Sequence, residues 1–131
     1  MSVYLDTSAL AKLIITEAET AALREWLSDH REQPLVTSSI GSVELQRLAA
    51  RVSQSAGSAA VRLLARLDVV SLTPGALAAA AQLPPPEVRT LDALHLASAA
   101  ELSDLQALVT YDHRMAAAGL AYGLPVMTPG R

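Results

Sequence analysis

The chain has 131 residues, a formal net charge of −3, a hydrophobic fraction of 51% and no cysteine. This length and apolar content suit one folded domain over residues 1–131 and exclude a disordered chain. The missing cysteines exclude disulfides, thiolate metal sites and cysteine nucleophiles. No apolar run approaches the roughly 20 residues of a membrane span, and no signal peptide is visible, so we expect a soluble cytoplasmic protein without membrane contacts.

Short apolar segments rich in β-branched residues alternate with stretches of helical periodicity. Because these segments lack a clean apolar–polar alternation, we expect strands that are buried on both faces. Regular alternation of strands and helices predicts an α/β fold, with a central parallel sheet of about five strands and about seven helices on both sides. The predicted strands are Val3–Leu5, Leu35–Thr37, Val69–Leu72, Ala107–Thr110 and Pro125–Met127.

The helix boundaries are predicted from capping residues, prolines and glycines. The second helix is expected over residues 17–28, a break at Gly57 and Ser58 is expected before a fourth helix that reaches Leu67, and the proline triplet 84–86 is expected to end the fifth. The predicted N-caps of the other helices are Ser8, Ser38 or Ser39, Thr73, Thr90 and Asp112.

Four acidic residues lie in apolar surroundings, where an unpaired carboxylate is costly. Asp6 and Asp112 follow two predicted strands, and ligands of parallel α/β sheets bind beyond such strand ends. Asp92 lies in the first turn of a predicted helix whose start is expected at the same edge. Glu44 lies in an apolar helical stripe. Acids gathered in this way indicate a divalent cation site.

Each acid also has a purely structural interpretation. Asp6 and Asp112 can be helix N-caps, and Asp92 can stabilise the positive end of its helix. Glu44 is the hardest to explain without a site, because its helical face is otherwise apolar. We favour the cation site because four independent structural accidents at one edge are improbable.

The segments around these acids resemble the PIN-domain ribonucleases, and more narrowly the VapC-type toxins of bacterial toxin–antitoxin pairs. The most specific of them is the Leu-Asp-Ala-Leu-His-Leu-Ala stretch with an arginine upstream. The segments run in family order and span nearly the whole chain. They cover residues 5–10, 39–45, 89–97, 109–112 and 123–126.

This resemblance implies a three-layer α/β/α PIN-like domain that cuts RNA with Mg²⁺ or Mn²⁺. It also implies a homodimer, with the third and fourth helices as contacts, and a small antitoxin that inhibits the nuclease and binds DNA, so that DNA is contacted only through the antitoxin. We also hypothesise that an arginine or lysine of the antitoxin enters the acidic pocket. The implied metal ligands and catalytic residues are Asp6, Glu44, Asp92 and Asp112, with Ser8 or Thr7 supporting the first acid and Thr110 supporting the fourth.

Phosphodiester chemistry suggests a division of labour among the acids. Asp6 and Asp92 are the expected main ligands of the metal. Glu44 and Asp112 would bind through water, hold a second ion or orient the attacking water, and the choice between one and two metal ions stays open. The RNA sequence that is cut also stays open.

The roles of three further residues stay open between function and structure. Arg89 and Arg114 either contact RNA phosphates, form salt bridges or are plain surface charges. His95 is interpreted first as a satisfied core histidine and second as a support beside Asp92.

Two other functions remain as alternatives. A receiver-like phosphoacceptor domain also gathers carboxylates and Mg²⁺ at a sheet edge, but it normally has adjacent acids after its first strand and a lysine near its last. Here Thr7 follows Asp6, and the only lysine, Lys12, lies in the first helix. The other alternative is a catalytically silent binding module of the same fold, which calorimetry would recognise by a lack of Mn²⁺ binding.

Overall fold

The computed structural model describes residues 1–131, with five strands and seven helices. The strands are β1 (Ser2–Leu5), β2 (Leu35–Ser38), β3 (Asp68–Val70), β4 (Leu105–Val109) and β5 (Val126–Met127). The helices are α1 (Thr7–Ile14), α2 (Thr20–Asp29), α3 (Ser39–Val52), α4 (Gln54–Leu64), α5 (Pro74–Gln82), α6 (Thr90–Ala100) and α7 (His113–Ala121). None of these helices combines the length and the apolar character that a membrane crossing requires.

The strands form one parallel sheet in the order β3-β2-β1-β4-β5. The central strand β1 is completely buried, and its Tyr4 lies opposite Val36 of β2 and Leu108 of β4. The chain adds β2 and β3 on one side of β1 and β4 and β5 on the other. A ligand crevice is therefore expected where β1 and β4 end, at the point where the strand order reverses.

Alternate residues of the central strands feed two separate cores, one on each face of the sheet. Val3 and Leu5 pack with α1 to α4, and Leu45 is a fully buried member of that core. Tyr4 and Leu108 point to the other face and pack with α5 to α7. The predicted three-layer arrangement with a five-stranded parallel sheet is confirmed.

Several helix starts agree with the predicted caps. Ser38 caps α3, Thr73 caps α5 and Asp112 caps α7, each accepting a hydrogen bond from a first-turn amide. The prediction for Ser8 is wrong, because β1 ends one residue before Asp6 and the Asp6 carboxylate takes the capping position of α1. Thr90 is not a cap either, since it is the first helical residue of α6 and Arg89 precedes it without a side-chain cap.

The predicted boundaries of α2 and α4 are also corrected. The second helix starts at Thr20, whose hydroxyl accepts from the Glu17 amide and donates to the Lys12 carbonyl, so residues 17–19 form a turn. The fourth helix starts at Gln54 with Ser53 as its cap, runs through Gly57 without a break and ends at Leu64. The Ser53 side chain accepts a hydrogen bond from the Ala56 amide in the first turn, so the helix can begin before Gly57 and needs no break there.

The C-terminal residue is tied to α1 and α2 by ion pairs. Glu19 accepts from Lys12 Nζ at 2.8 Å and from Arg131 Nε at 2.7 Å. Arg131 Nη1 also donates to the Tyr111 carbonyl at 3.2 Å. Hydrogen bonds from Lys12 and Arg131 lower the pKa of Glu19 from 4.5 to about 2.

This pKa shift predicts how the stability of the protein depends on acid. Because the folded pKa lies below the unfolded value, the stabilisation by Glu19 is complete above pH 4.5 and is lost as the pH falls towards 2. Glu19→Gln should therefore lower the melting temperature at pH 7 but have little effect at pH 2.5, in thermal unfolding followed by circular dichroism. Glu17→Gln is the matched control, since Glu17 is half exposed and 3.6 Å from the Lys12 ammonium. Equal effects of Glu19→Gln at both pH values would contradict the prediction.

Candidate active site

Three of the predicted acids meet at the carboxyl edge of the sheet. Asp6 follows β1 directly, Asp112 follows β4 after two residues, and Asp92 lies in the first turn of α6. Burial of Asp92 and the negative charges of Asp112 and Asp6 raise the pKa of Asp92, while the charges of His95 and Arg89 act in the opposite direction. These three carboxylates therefore share one electrostatic environment with an excess of negative charge.

The Asp6 carboxylate is 2% exposed and has only neutral hydrogen-bond donors. Its Oδ1 accepts from Ser8 Oγ at 2.7 Å and from the Ala9 amide at 3.0 Å, and its Oδ2 accepts from Thr110 Oγ1 at 2.5 Å. Burial raises the pKa of Asp6, and these hydrogen bonds oppose the rise only in part. The protein thus keeps a costly buried carboxylate, which a bound cation would stabilise.

Two hydroxyls connect the end of β1 to the end of β4. Ser8 Oγ accepts from the Tyr111 amide at 2.8 Å while it donates to Asp6. Thr110 Oγ1 accepts from the Asp112 amide at 3.1 Å while it donates to Asp6. Ser8 therefore contacts the first acid, whereas Thr110, which was expected to support Asp112, orients the Asp6 side chain and only the backbone of Asp112.

Glu44 has hydrogen-bond partners that the other three acids do not share. Its Oε1 accepts from Thr7 Oγ1 at 2.6 Å and lies 2.7 Å from His95 Nε2, while its Oε2 has no side-chain partner. Burial alone would raise the pKa of Glu44, but hydrogen bonds from His95 and Thr7 outweigh burial and lower it. Glu44 is therefore a carboxylate at neutral pH, with one fixed oxygen and one free oxygen.

His95 is a satisfied core histidine that contacts Glu44 rather than Asp92. It is 2% exposed, and its Nδ1 lies 2.7 Å from the Tyr4 hydroxyl, which donates to Ser38 Oγ at 2.9 Å. Sequence reasoning did not find this role of Tyr4. The available signal was a tyrosine in a fully buried strand, since a buried hydroxyl normally requires a polar partner.

Gly41 allows α3 to approach α6 closely enough for the contact between Glu44 and His95. A Cβ atom on Gly41 would lie 2.1 Å from Thr37 Oγ1 and 3.5 Å from His95 Cε1. The Thr37 hydroxyl is itself fixed by donation to the Leu5 carbonyl at 2.8 Å. Only a residue without a side chain therefore fits here, one turn before Glu44.

The oxygens that remain free suit a hydrated divalent cation. No group of three or more His, Asp and Glu side chains is close enough to hold a metal ion by itself. Asp92 has no hydrogen-bond donor, and Asp112 uses only Oδ1 to cap α7. Mg²⁺ typically keeps several waters and binds through one or two carboxylates together with substrate phosphates. This donor set fits that mode of binding and does not form a closed protein cage.

Arg89 and Arg114 lie with Asp92 around one cavity of about 510 Å³. The ion pairs of the protein use Lys12, His95 and Arg131 as the cations. The salt-bridge interpretation of Arg89 and Arg114 is therefore not realised in this structure. Both guanidinium groups are exposed beside the acids and available to an anionic ligand.

Comparison with known proteins identifies relatives over nearly the whole chain. A family model described as PIN domain matches residues 3–120. Ribonuclease VapC47 of Mycobacterium tuberculosis (strain CDC 1551 / Oshkosh) is 42% identical, and the match covers 98% of this chain and 97% of the relative. The crystal structure of Mycobacterium tuberculosis VapC20, described as a Sarcin-Ricin loop cleaving toxin, superposes with a TM-score of 0.71 at 25% identity, over 90% of this chain and 95% of that one. VapBC2 from Rickettsia felis, bound to a DNA fragment from their promoter, has the same fold with a TM-score of 0.75 at 18% identity, over 97% and 98% of the two chains.

Proposed function

The chain belongs to the PIN domain family, and we propose that it is the ribonuclease toxin of a toxin–antitoxin pair, which hydrolyses RNA with Mg²⁺ or Mn²⁺. The observation that carries this proposal is the excess of negative charge shared by Asp6, Asp92 and Asp112 at one sheet edge. The similarity to Ribonuclease VapC47 and to the loop-cleaving toxin VapC20 supports RNA as the substrate.

Asp6 and Asp92 are the proposed principal ligands of the cation. Asp6 is oriented by hydroxyls on both of its oxygens, and Asp92 has both oxygens free. When bound, the cation supplies a Lewis acid that activates water and neutralises charge on the phosphate. Asp112, which uses one oxygen as a helix cap, has the other available for a retained water or a second ion.

Glu44 is the proposed acceptor for the attacking water. Its Oε1 is held by Thr7 and His95, so Oε2 is positioned to accept a hydrogen bond from water and then its proton. The water oxygen forms a bond to phosphorus, the bond from phosphorus to the 3′ oxygen breaks in line with it, and the 3′ oxygen takes up a proton from solvent. The products are a 5′-phosphate and a 3′-hydroxyl.

Cleavage of cellular RNA by the purified chain tests this function. We expect cuts in the presence of Mg²⁺ or Mn²⁺, none in EDTA, and 5′-phosphate ends that can be ligated and sequenced. The positions of those ends would also identify the RNA. Failure to cut any cellular RNA with either metal would refute the proposed activity and favour a silent binding module.

Arg114 is expected to contact a phosphate of the RNA. Arg114→Gln should weaken RNA binding by about tenfold and reduce the slope of log affinity against log salt by about one, since one counterion fewer is released. Fluorescence anisotropy with a labelled RNA in EDTA measures both quantities. Arg31→Gln is the matched control, because Arg31 is an exposed arginine just after α2. An unchanged salt slope in Arg114→Gln would exclude the contact.

In addition to the arginine or lysine that is expected to enter the acidic pocket, the antitoxin is proposed to place a segment in a second groove, which is lined by leucines and arginines. Leu13, Leu27 and Leu63 line a cavity of about 640 Å³. The four arginines at this groove are Arg24, Arg31, Arg62 and Arg66, and no acid lines it. A partner segment with an apolar face and carboxylates at its edges complements this surface in shape and charge.

Charge reversal tests this partner. Arg62→Glu combined with Arg66→Glu should weaken binding of the cognate antitoxin by about 100-fold or more, because attraction becomes repulsion at two positions. Isothermal titration calorimetry measures this affinity, and the variant should still cut RNA. Arg47→Glu combined with Arg51→Glu is the control, since these arginines have the same spacing on α3. Equal losses in both double variants would exclude a specific docking groove.

The proposed homodimer has apolar candidates at its surface. Val43 and Val52 of α3 and Val61 of α4 are exposed by 56%, 53% and 59%. Exposed valines on these two helices support the proposed contact region.

The phosphoacceptor alternative is not supported by the position of the only lysine. Lys12 is 5% exposed and pairs with Glu19 at 2.8 Å. It is therefore committed to the ion pairs that hold the C-terminus, whereas a phosphoacceptor site requires a lysine at the acids.

A further inference from the structure

The chemistry described above uses Asp92 and Arg114 of the cavity beside Asp92, which we call the α6–α7 pocket, but it assigns no role to the apolar side of this cavity. It lies between the start of α6, the loop before it and one face of α7. It is lined by nine residues, which are Pro85, Glu87, Val88, Arg89, Asp92, Arg114, Ala117, Ala118 and Ala121. Its volume of about 510 Å³ lies within the range of small-molecule binding sites.

We propose that the α6–α7 pocket holds the base of the nucleotide next to the scissile phosphate, an inference that rests on the proposed ribonuclease function. Asp92 connects the two sites, since it lines the pocket and belongs to the carboxylate cluster. A base in the pocket therefore places its own phosphodiester beside the carboxylates. The pocket would select which nucleotide is cut.

The shape of the pocket favours a planar ring. Ala117 and Ala121 are spaced by four residues on α7, so their methyl groups lie on the same helix face without longer side chains between them. Val88 adds an apolar contact from the loop before α6. A base can stack on a surface that is formed by two alanine methyl groups and flanked by guanidinium groups.

The pocket carries two arginines and two acids, Glu87 and Asp92, so it suits a polar ligand that can use the arginine donors rather than an apolar side chain of a protein. Arg89 and Arg114 have no carboxylate partner and no hydrogen bond that would occupy their donors. Arginine donors match the carbonyl oxygens and ring nitrogens of a base and the oxygens of its phosphate. The first turn of α6 also lacks a side-chain cap, which leaves backbone N–H groups for an anion at the same place.

Binding of mononucleotides to the isotope-labelled chain in EDTA tests the pocket without any cleavage. We expect the four nucleoside 5′-monophosphates to shift the amide resonances of Val88, Ala117 and Ala121, and ribose 5-phosphate to leave them unchanged. Ala117→Leu narrows the pocket and should weaken mononucleotide binding by about tenfold or more, because the larger side chain occupies space next to α7 that the base would use. Ala100→Leu is the matched control, because it places the same side chain at an exposed position at the far end of α6.

Three outcomes would overturn the proposal. Shifts at other residues would place the nucleotide elsewhere, and equal shifts with ribose 5-phosphate would show a phosphate contact only. Unchanged binding in Ala117→Leu, at an unchanged melting temperature, would show that the pocket is not entered. None of these results would contradict the proposed ribonuclease function.

Mapping of cleavage sites tests the proposed nucleobase pocket independently of the proposed ribonuclease activity. We expect Ala117→Leu to change the base preference at one position next to the cut, and Ala100→Leu to keep the wild-type preference. If Ala117→Leu cuts with the wild-type preference, the pocket assignment fails and the ribonuclease proposal stands. If the wild-type chain cuts no RNA but binds mononucleotides through Val88 and Ala117, the ribonuclease proposal fails and the nucleobase pocket stands.

Discussion

Asp6→Asn is expected to slow RNA cleavage strongly and, at the same time, to stabilise the metal-free protein. The Asp6 carboxylate is 2% exposed, has no cationic partner, and has a pKa raised by burial. Asparagine has nearly the same shape as aspartate. Its side-chain oxygen can accept from Ser8, and its side-chain NH₂ group can donate to Thr110. Removing the buried charge should raise the stability in EDTA by about 1–2 kcal/mol, while loss of a principal ligand should slow cleavage by roughly 100-fold or more.

The gain in stability from Asp6→Asn is expected to depend on pH. The folded pKa of Asp6 lies above its ordinary value of 3.8. Below pH 3.8 the side chain is therefore protonated in both states and does not lower the free energy of unfolding. As the pH rises from 3.8 through the folded pKa, the buried carboxylate lowers the free energy of unfolding. The gain from Asp6→Asn should therefore be present at pH 7 and absent at pH 3. Differential scanning calorimetry in EDTA at the two pH values measures it.

A metal titration and a surface variant are the controls. Mg²⁺ or Mn²⁺ should raise the melting temperature of the wild-type protein but not that of Asp6→Asn, because a ligand stabilises only the fold that binds it. Asp68→Asn removes an exposed carboxylate from β3 and should change neither cleavage nor stability. If Asp6→Asn cuts RNA at the wild-type rate, Asp6 is not a principal ligand.

The sheet and the edge position of three acids follow from features that are local in the chain. Each strand is a short apolar run, and an acid that follows such a run directly or within about two residues lies at the carboxyl end of the strand. Asp6 and Asp112 could therefore be placed from sequence, and Asp92 followed from its position in the first turn of a helix. These arguments need no knowledge of how the helices pack.

The partners of Glu44 could not be placed in this way. Its contact with His95 joins residues that are 51 positions apart. The contact depends on how closely α3 approaches α6, which Gly41 allows and no periodicity reveals. The wrong N-cap at Ser8 has a similar origin. Asp6 and Ser8 are both good N-caps, and the choice between them depends on the residue at which β1 stops pairing with β4.

His95→Leu is expected to slow RNA cleavage by about tenfold or more and to destabilise the fold by about 1–3 kcal/mol. Leucine fills a similar volume but donates no hydrogen bond, so Glu44 keeps only its contact with Thr7 and its free oxygen is no longer directed. Tyr4→Phe is the control, because it removes the hydroxyl beside His95 Nδ1 and leaves the contact between His95 Nε2 and Glu44 intact. Tyr4→Phe should lose stability without a comparable loss of activity, when both variants are assayed below their melting temperatures. Wild-type cleavage by folded His95→Leu would mean that Glu44 acts without this histidine.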